Sequence, residues 1–257
     1  MVLKKQLLFI LLWPIIAALL SFLLKANTLA STLLFFGIPA VYLSFLKKDC
    51  VRMVTIFSVI FSIPFAIILD YVMEITGGWY IPKSVFDPLR LFGYVSLEQL
   101  IWLFLFMYLV GIFYEVFFDK KCTHKLNTPK LKYAIFGLVV FFGMFIILHI
   151  TKHELLKINF FYLKFGIILA LLPFLFALFH FPDLYSAMLI IGSYFAYLSF
   201  IYEITALSLG QWTFPAVDQF IGFVNVGGVT FPIEEFLFWI LLGSLATLTY
   251  YRYFGEK

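Results

Sequence analysis

The chain of 257 residues is 64% apolar and only 12% charged, with a net charge of +4 and a mean hydropathy of +1.05. Soluble chains run at about 45–50% apolar and about 25% charged, so this composition excludes a water-soluble enzyme, a nucleic-acid binder and a disordered scaffold, and it requires a bilayer. A helix needs about 20 apolar residues to cross the hydrocarbon core, which leaves room for at most about eight crossings and little chain outside the membrane.

The N-terminus, Met1-Val2-Leu3-Lys4-Lys5 ahead of an apolar run from Leu7 to Leu24, imitates a secretory signal. The run is longer than an h-region of about 7–15 residues and further apolar runs follow, so it reads as a retained helix. Apolar runs predict spans over 6–24, 28–46, 51–75, 96–118, 132–150, 158–180, 184–207 and 230–251. In an eight-helix serpentine, Lys4, Lys5, Lys47, Lys48, Arg52, Lys120, Lys121, Lys125, Lys130, Lys132, Arg252 and Lys257 fall on one side. Lys25, Lys83, Arg90, Lys152 and Lys157 fall on the other. The positive-inside rule then makes both termini cytoplasmic. Cys50 and Cys122 are too few for a disulfide framework, and on the reducing side they are expected to be free thiols.

Two connections, about 76–95 and 208–229, are longer than the rest and resemble each other. Asp70 precedes Trp79-Tyr80-Ile81-Pro82 as Glu203 precedes Trp212-Thr213-Phe214-Pro215, and Gly77 and Gly210 each stand two before the tryptophan. After a short insertion, Leu97-Glu98-Gln99-Leu100-Ile101-Trp102 lines up with Ile233-Glu234-Glu235-Phe236-Leu237-Phe238. The pattern reads as an internal duplication. With four crossings per copy the halves run parallel, about an axis along the membrane normal. The expected fold is therefore all-α, a polytopic membrane bundle of about eight transmembrane helices in two parallel repeats, with both sets of acids on the outer side.

Carboxyls within an apolar span are costly and mark functional sites by default. Here they are Asp70, Glu74, Glu98, Glu115, Glu203, Glu234 and Glu235. Glu98, Glu234 and Glu235 stand at helix starts, where capping and the macrodipole offer a structural reason for an acid. Glu234 and Glu235 are about 100° apart on their helix and cannot point the same way. Asp70 and Glu203 lie near the ends of helices, where the dipole disfavours them. Glu74 is expected to be solvated and Glu115 to pair with nearby lysines. Lys164 either snorkels or serves as a counter-ion. His149 and His180 read as interfacial histidines, and His124 and His153 as loop residues. No metal cluster, P-loop, dinucleotide fingerprint or nucleophile elbow is present in the sequence. Most of the aromatics fit lipid and its interfaces. Trp79 and Trp212 differ, being anchored alike beside the acids, where an indole face could line a pocket or stabilise a cation.

Pro232-Ile233-Glu234-Glu235-Phe236-Leu237-Phe238, preceded by an acid and a Gly-x-Trp loop, resembles the small membrane lycopene cyclases of the bacterial heterodimeric, archaeal fused and fungal bifunctional types. The resemblance implies an extra N-terminal helix over 1–29, a first cyclase-like unit over 30–118, a cytoplasmic loop and linker helix over 119–159, and a second unit over 160–257. It implies catalytic roles for Asp70, Glu98, Glu203, Glu234 and Glu235, and it matches Glu115 with an acid that closes the first unit. Substrate contacts would come from Trp79, Trp212, Pro232 and Phe238. The first unit departs from the motif at Val95-Ser96-Leu97-Glu98-Gln99, which lacks the proline and the second acid, and Glu203 stands where aspartate is more usual.

The implied chemistry is an acid-initiated cyclisation of a ψ-end polyene. It needs a protonated acid, Glu234 or Glu235, a base, Glu203 or Asp70, and a dry pocket. It uses no metal and consumes no cofactor. The partners implied are a long polyene and membrane lipid, with no nucleic acid, and either a homo-oligomer or a complex with other carotenoid enzymes. Two other readings stay open: a proton-coupled transporter, since parallel repeats with intramembrane acids also build those, and a non-catalytic subunit of an isoprenoid-processing complex.

Overall fold

The computed structural model describes residues 2–119 and 129–255. Seven helices are long and apolar enough to cross a membrane. They are α1 (Val2–Leu24), α2 (Thr28–Leu46), α3 (Lys48–Ile75), then, after a two-stranded hairpin of β1 (Arg90–Leu91) and β2 (Val95–Ser96), α4 (Leu97–Phe117), α5 (Pro129–Lys152), α6 (Phe161–His180) and α7 (Tyr185–Ser208). A second hairpin, β3 (Phe223–Val226) with β4 (Val229–Pro232), leads into α8, π-helical over Glu235–Leu241 and α-helical over Gly243–Phe254. The last apolar run was expected to be helical from 230. Val229–Pro232 instead pair with Phe223–Val226, and Pro232 ends the strand where helix begins.

Two further π-helical turns have a local cause. Leu33–Gly37 in α2 and Ile167–Leu171 in α6 lie just ahead of Pro39 and Pro173. A proline has no N–H to donate and its ring crowds the carbonyl four residues back, so the turn before it widens. The widened turns are tied down in matching fashion: Trp13 Nε1 donates to the Leu34 carbonyl at 2.7 Å, and the Tyr250 hydroxyl donates to the Leu169 carbonyl at 3.0 Å.

The core runs between α2, α4, α7 and α8. It is aromatic: Phe36, Phe106, Phe113, Phe195, Tyr202, Trp239 and Tyr251 are all buried, and the Trp239 ring stands 4.0 Å from Phe106 and 4.3 Å from Trp102. The helices at the edge are apolar outward, as with Leu23 on α1 and Ile150 on α5, 78% and 74% exposed. Such surfaces suit lipid and not water. Helix α5 rests on α3 through Tyr71, whose hydroxyl lies 2.8 Å from His149 Nδ1, with the Phe145 ring 5.0 Å from that of Tyr71. Expected at an interface, His149 is thus an interhelical partner. His180 stacks on Phe176 with ring centroids 4.1 Å apart, and Lys164 is exposed.

The structure departs from expectation at Cys50 and Glu74 and adds a partner at Glu115. Cys50 is disulfide-bonded, not a free thiol; Cys122, His124, Lys120, Lys121, Lys125 and Lys257 lie outside the described residues. Glu115 is buried and, beside the nearby Lys47, has a tyrosine partner: the Tyr251 hydroxyl donates to it at 2.7 Å, and Cys50 Sγ lies 3.3 Å from its other oxygen. Glu74 is not solvated, its side chain being only 5% exposed and paired with Arg90 at 3.1 Å.

That pair organises the first long loop. Arg90 also donates to Asp87 at 3.0 Å and to the carbonyls of Ile81 and Tyr94 at 2.9 and 3.2 Å. The hydrogen bond from Arg90 holds the exposed Asp87 carboxyl below the usual aspartate range, so this link persists at pH values where an ordinary aspartate is already protonated. Removing the guanidinium leaves a buried glutamate without its cation. Arg90→Ala is expected to destabilise by about 3 kcal/mol, and Arg90→Lys to restore only part of it, because one ammonium cannot reproduce the forked contacts. Thermal unfolding in detergent or nanodiscs checks this; equal midpoints for Arg90→Ala and the parent would refute it.

Candidate active site

The two long loops meet face to face. Each leaves its helix by the same device, a hydrogen bond closing back over the last turn: Gly78 N–H to the Met73 carbonyl at 2.7 Å and Gln211 N–H to the Ala206 carbonyl at 2.9 Å. Between them Gly77 and Gly210 adopt φ of +71° and +64°, the left-handed C-terminal position that glycine takes without steric cost. The strands that follow then bridge: Tyr80 N–H donates to the Thr213 carbonyl and Thr213 N–H to the Tyr80 carbonyl, both at 2.9 Å. Tyr80 follows Trp79 as Thr213 follows Trp212, so the residues that pair across the contact hold the same place in their own loops.

This docking sets the tryptophans. Trp79 Nε1 donates to Asp70 Oδ1 at 2.6 Å and Trp212 Nε1 to Glu203 Oε1 at 3.1 Å. Both acids are 1% exposed. Glu98 and Glu234 also act alike, each holding a loop amide thirteen residues back: Val85 N–H donates to Glu98 at 2.5 Å and Ile221 N–H to Glu234 at 2.8 Å. The Ser84 hydroxyl adds contacts of 2.9 and 2.8 Å to the two oxygens of Glu98. These acids therefore staple loop to helix and do not cap their own helices. Glu98→Ala leaves the Val85 N–H without its acceptor and is expected to cost about 1–3 kcal/mol, read as a lowered unfolding midpoint that Glu98→Gln largely restores. Equal losses from both variants would count against the staple.

Glu235 diverges from Glu234, pointing away from the loop. Its Oε2 accepts from the Tyr162 hydroxyl at 2.5 Å, and Tyr162 sets its ring edge-on to Trp79 with centroids 5.6 Å apart. Glu235, Glu203, Trp79 and Trp212 line one small cavity of about 380 Å³, together with Gln99, Trp102, Thr28, Tyr202 and Phe214. Glu203 keeps one buried oxygen, Oε2, without a hydrogen-bond partner, and so does Asp70 at Oδ2, although Asp70 and Glu98 do not line this cavity.

A second, larger cavity of about 610 Å³ adjoins the first. Trp102 lines both, and Tyr162 lines the larger while its hydroxyl reaches Glu235 in the smaller. Its walls are otherwise nearly all apolar and include Phe238. Pro232, paired with Phe223 in the hairpin, lines neither.

Sequence reasoning missed Tyr162, Tyr202, Trp102 and Gln99 as lining residues. Among 15 tyrosines and 35 phenylalanines an inward-facing ring has no local signature. Gln99, however, occupies the place in the first loop-helix junction that Glu235 occupies in the second, and that correspondence was available. Chemically, the arrangement offers two carboxyls lining one tryptophan-walled space beside an apolar chamber. No group of histidine, cysteine and acidic side chains among the described residues could hold a metal ion. Compared with known proteins, the chain matches no family model, no curated protein and no solved structure.

Proposed function

We propose that the chain is an integral-membrane isoprenoid cyclase of the lycopene cyclase kind, closing ψ-end groups to ionone-type rings by proton-initiated carbocation chemistry. The observation that carries the reading is the pair Glu203 and Glu235 facing one small cavity between Trp79 and Trp212. Glu235 is the general acid: Tyr162 occupies its Oε2, which leaves the other oxygen to carry a proton toward the substrate. Protonation of the terminal double bond gives a tertiary cation, the π pair of the next double bond closes the ring, and the proton lost from the adjacent carbon goes to Glu203. Trp212 orients that base. The indole faces of Trp79 and Trp212 stabilise the cation in transit, and exclusion of water keeps it from being quenched. Asp70, Glu98 and Glu234 position the tryptophans and loops. The net reaction is an isomerisation that consumes no cofactor.

The two-repeat reading of the bundle is supported by the like-for-like pairing of Tyr80 with Thr213 and by the matched staples at Glu98 and Glu234. With α8 counted as a crossing there are eight, and the basic residues put both termini in the cytoplasm. The Cys50 disulfide weighs the other way, since disulfides are rare in the cytosol. After reduction, labelling of Cys50 by an impermeant reagent in intact cells would invert the topology. On this reading the partners are a bilayer-dissolved polyene and lipid.

The function is tested by expressing the chain in lycopene-accumulating cells and analysing the pigments. Ring-containing isomers of unchanged mass are expected. Unchanged lycopene beside well-expressed, membrane-inserted protein overturns the reading for that substrate, and ion flux in proteoliposomes would replace it with a carrier.

A further inference from the structure

The geometry points to the larger cavity as the seat of the isoprenoid chain behind its reacting end, reached sideways from the bilayer past Phe65 and Phe165. This rests on the cyclase reading and adds where the substrate lies and how it arrives. The cavity stands between α3, α4, α6 and α8, and its lining includes the small residues Gly166, Ala170, Gly243 and Ala246. Gly166 is needed for close packing: a Cβ there would fall 2.2 Å from the Phe238 ring. The polar end of the chamber is at Tyr162, where it meets the small cavity holding Glu203 and Glu235. A hydrocarbon lying in it with one end at Trp102 would therefore present that end to the acids.

Along one wall, Phe65 on α3 and Phe165 on α6 are only partly buried and meet edge to face at 6.2 Å. Ile168, the next turn of α6, is 59% exposed, so this seam faces the lipid. The corresponding seam on the other half, between α7 and the widened turn of α2, is covered by α1: Trp13 reaches the Leu34 carbonyl, and the Tyr197 hydroxyl reaches the Leu11 carbonyl at 3.2 Å. On the α3–α6 side the matching carbonyl of Leu169 is satisfied from within by Tyr250 and not by α5, the helix that rests on α3 at Tyr71. The cavity, about 610 Å³ with its open mouth counted, is a partial envelope and not a closed pocket. It holds one end and the adjoining units of a carotenoid-length chain while the rest stays in the bilayer, so ends are processed one at a time.

The test uses the whole chain in lipid nanodiscs, with a photoreactive acyclic isoprenoid hydrocarbon as probe and long polyene as competitor. The probe is expected to label α6 and α8. In a hydrophobic pocket even one methylene changes discrimination by about tenfold or more, so Ala170→Phe, which fills the chamber, is expected to lower labelling and long-polyene kcat/KM by at least that factor. Because a filled core can misfold, Phe165→Trp, which narrows the seam from its lipid side, is made in parallel and is expected to slow labelling with an unfolding midpoint like that of the parent. Labelling unchanged in both variants overturns the inference, whatever the turnover. Labelling that falls as expected, with no ring product from the parent chain, leaves the cavity assignment standing and sinks the cyclase reading instead.

Discussion

Glu235→Gln is expected to lower ring formation by about 10²–10⁴-fold, the usual contribution of a positioned proton donor. The amide oxygen still accepts from the Tyr162 hydroxyl that now sits 2.5 Å from Glu235 Oε2, so the unfolding midpoint should move little and the loss is chemical. The neighbouring Glu234→Gln is the internal comparison. Its acid holds the Ile221 amide, a task the glutamine oxygen can take over, and a smaller loss is expected. Initial rates in membranes, with product resolved by chromatography, decide between them. Full turnover by Glu235→Gln removes that residue from the acid role, and a larger loss at Glu234 would transfer the role there.

Glu203→Gln should act on a different step. The carboxyl that accepts the final proton decides which carbon loses it, and hence where the ring double bond forms. The expected result is a rate loss of about 10²-fold or more together with a changed ratio of ring isomers. Glu235→Gln should slow the reaction without changing that ratio. Trp212→Phe, which removes the indole N–H now 3.1 Å from Glu203, should shift the isomer ratio in the same direction with a smaller rate loss. Identical product ratios in the parent, Glu203→Gln and Trp212→Phe would show that the proton leaves to another group.

The membrane helices could be read from the apolar runs because hydrocarbon length imposes a minimum run on any crossing. The ends of those helices were less legible. Val229–Pro232 looked like the start of α8, and only pairing with Phe223–Val226 makes it strand; four residues are too few for alternation to stand out against an apolar background. Asp70, Glu203, Trp79 and Trp212 were visible as a recurring spacing, and the recurrence reflects a direct hydrogen bond in each loop. The partner of Glu74 was not visible, since Arg90 reaches it only after the loop has folded back. Tyr162 was hidden for a related reason: it comes to Glu235 from another helix, and nothing in its neighbourhood distinguishes it from a lipid-facing ring. The division of labour between adjacent acids was half legible. Helical geometry separated Glu234 from Glu235, but which of them faced the cavity depended on where the second loop lay.

On the proposed reading, a proton from a buried carboxyl starts a redox-neutral ring closure. It is tested most directly by incubating the purified chain in nanodiscs with an acyclic ψ-end polyene in D₂O and examining the product by mass spectrometry. The acid exchanges its proton with solvent before each turnover, so the account predicts a cyclic isomer carrying one deuterium for each ring closed, with the same result under strict exclusion of oxygen and reductants. Recovery of unchanged substrate, or a ring product without solvent deuterium, would contradict it.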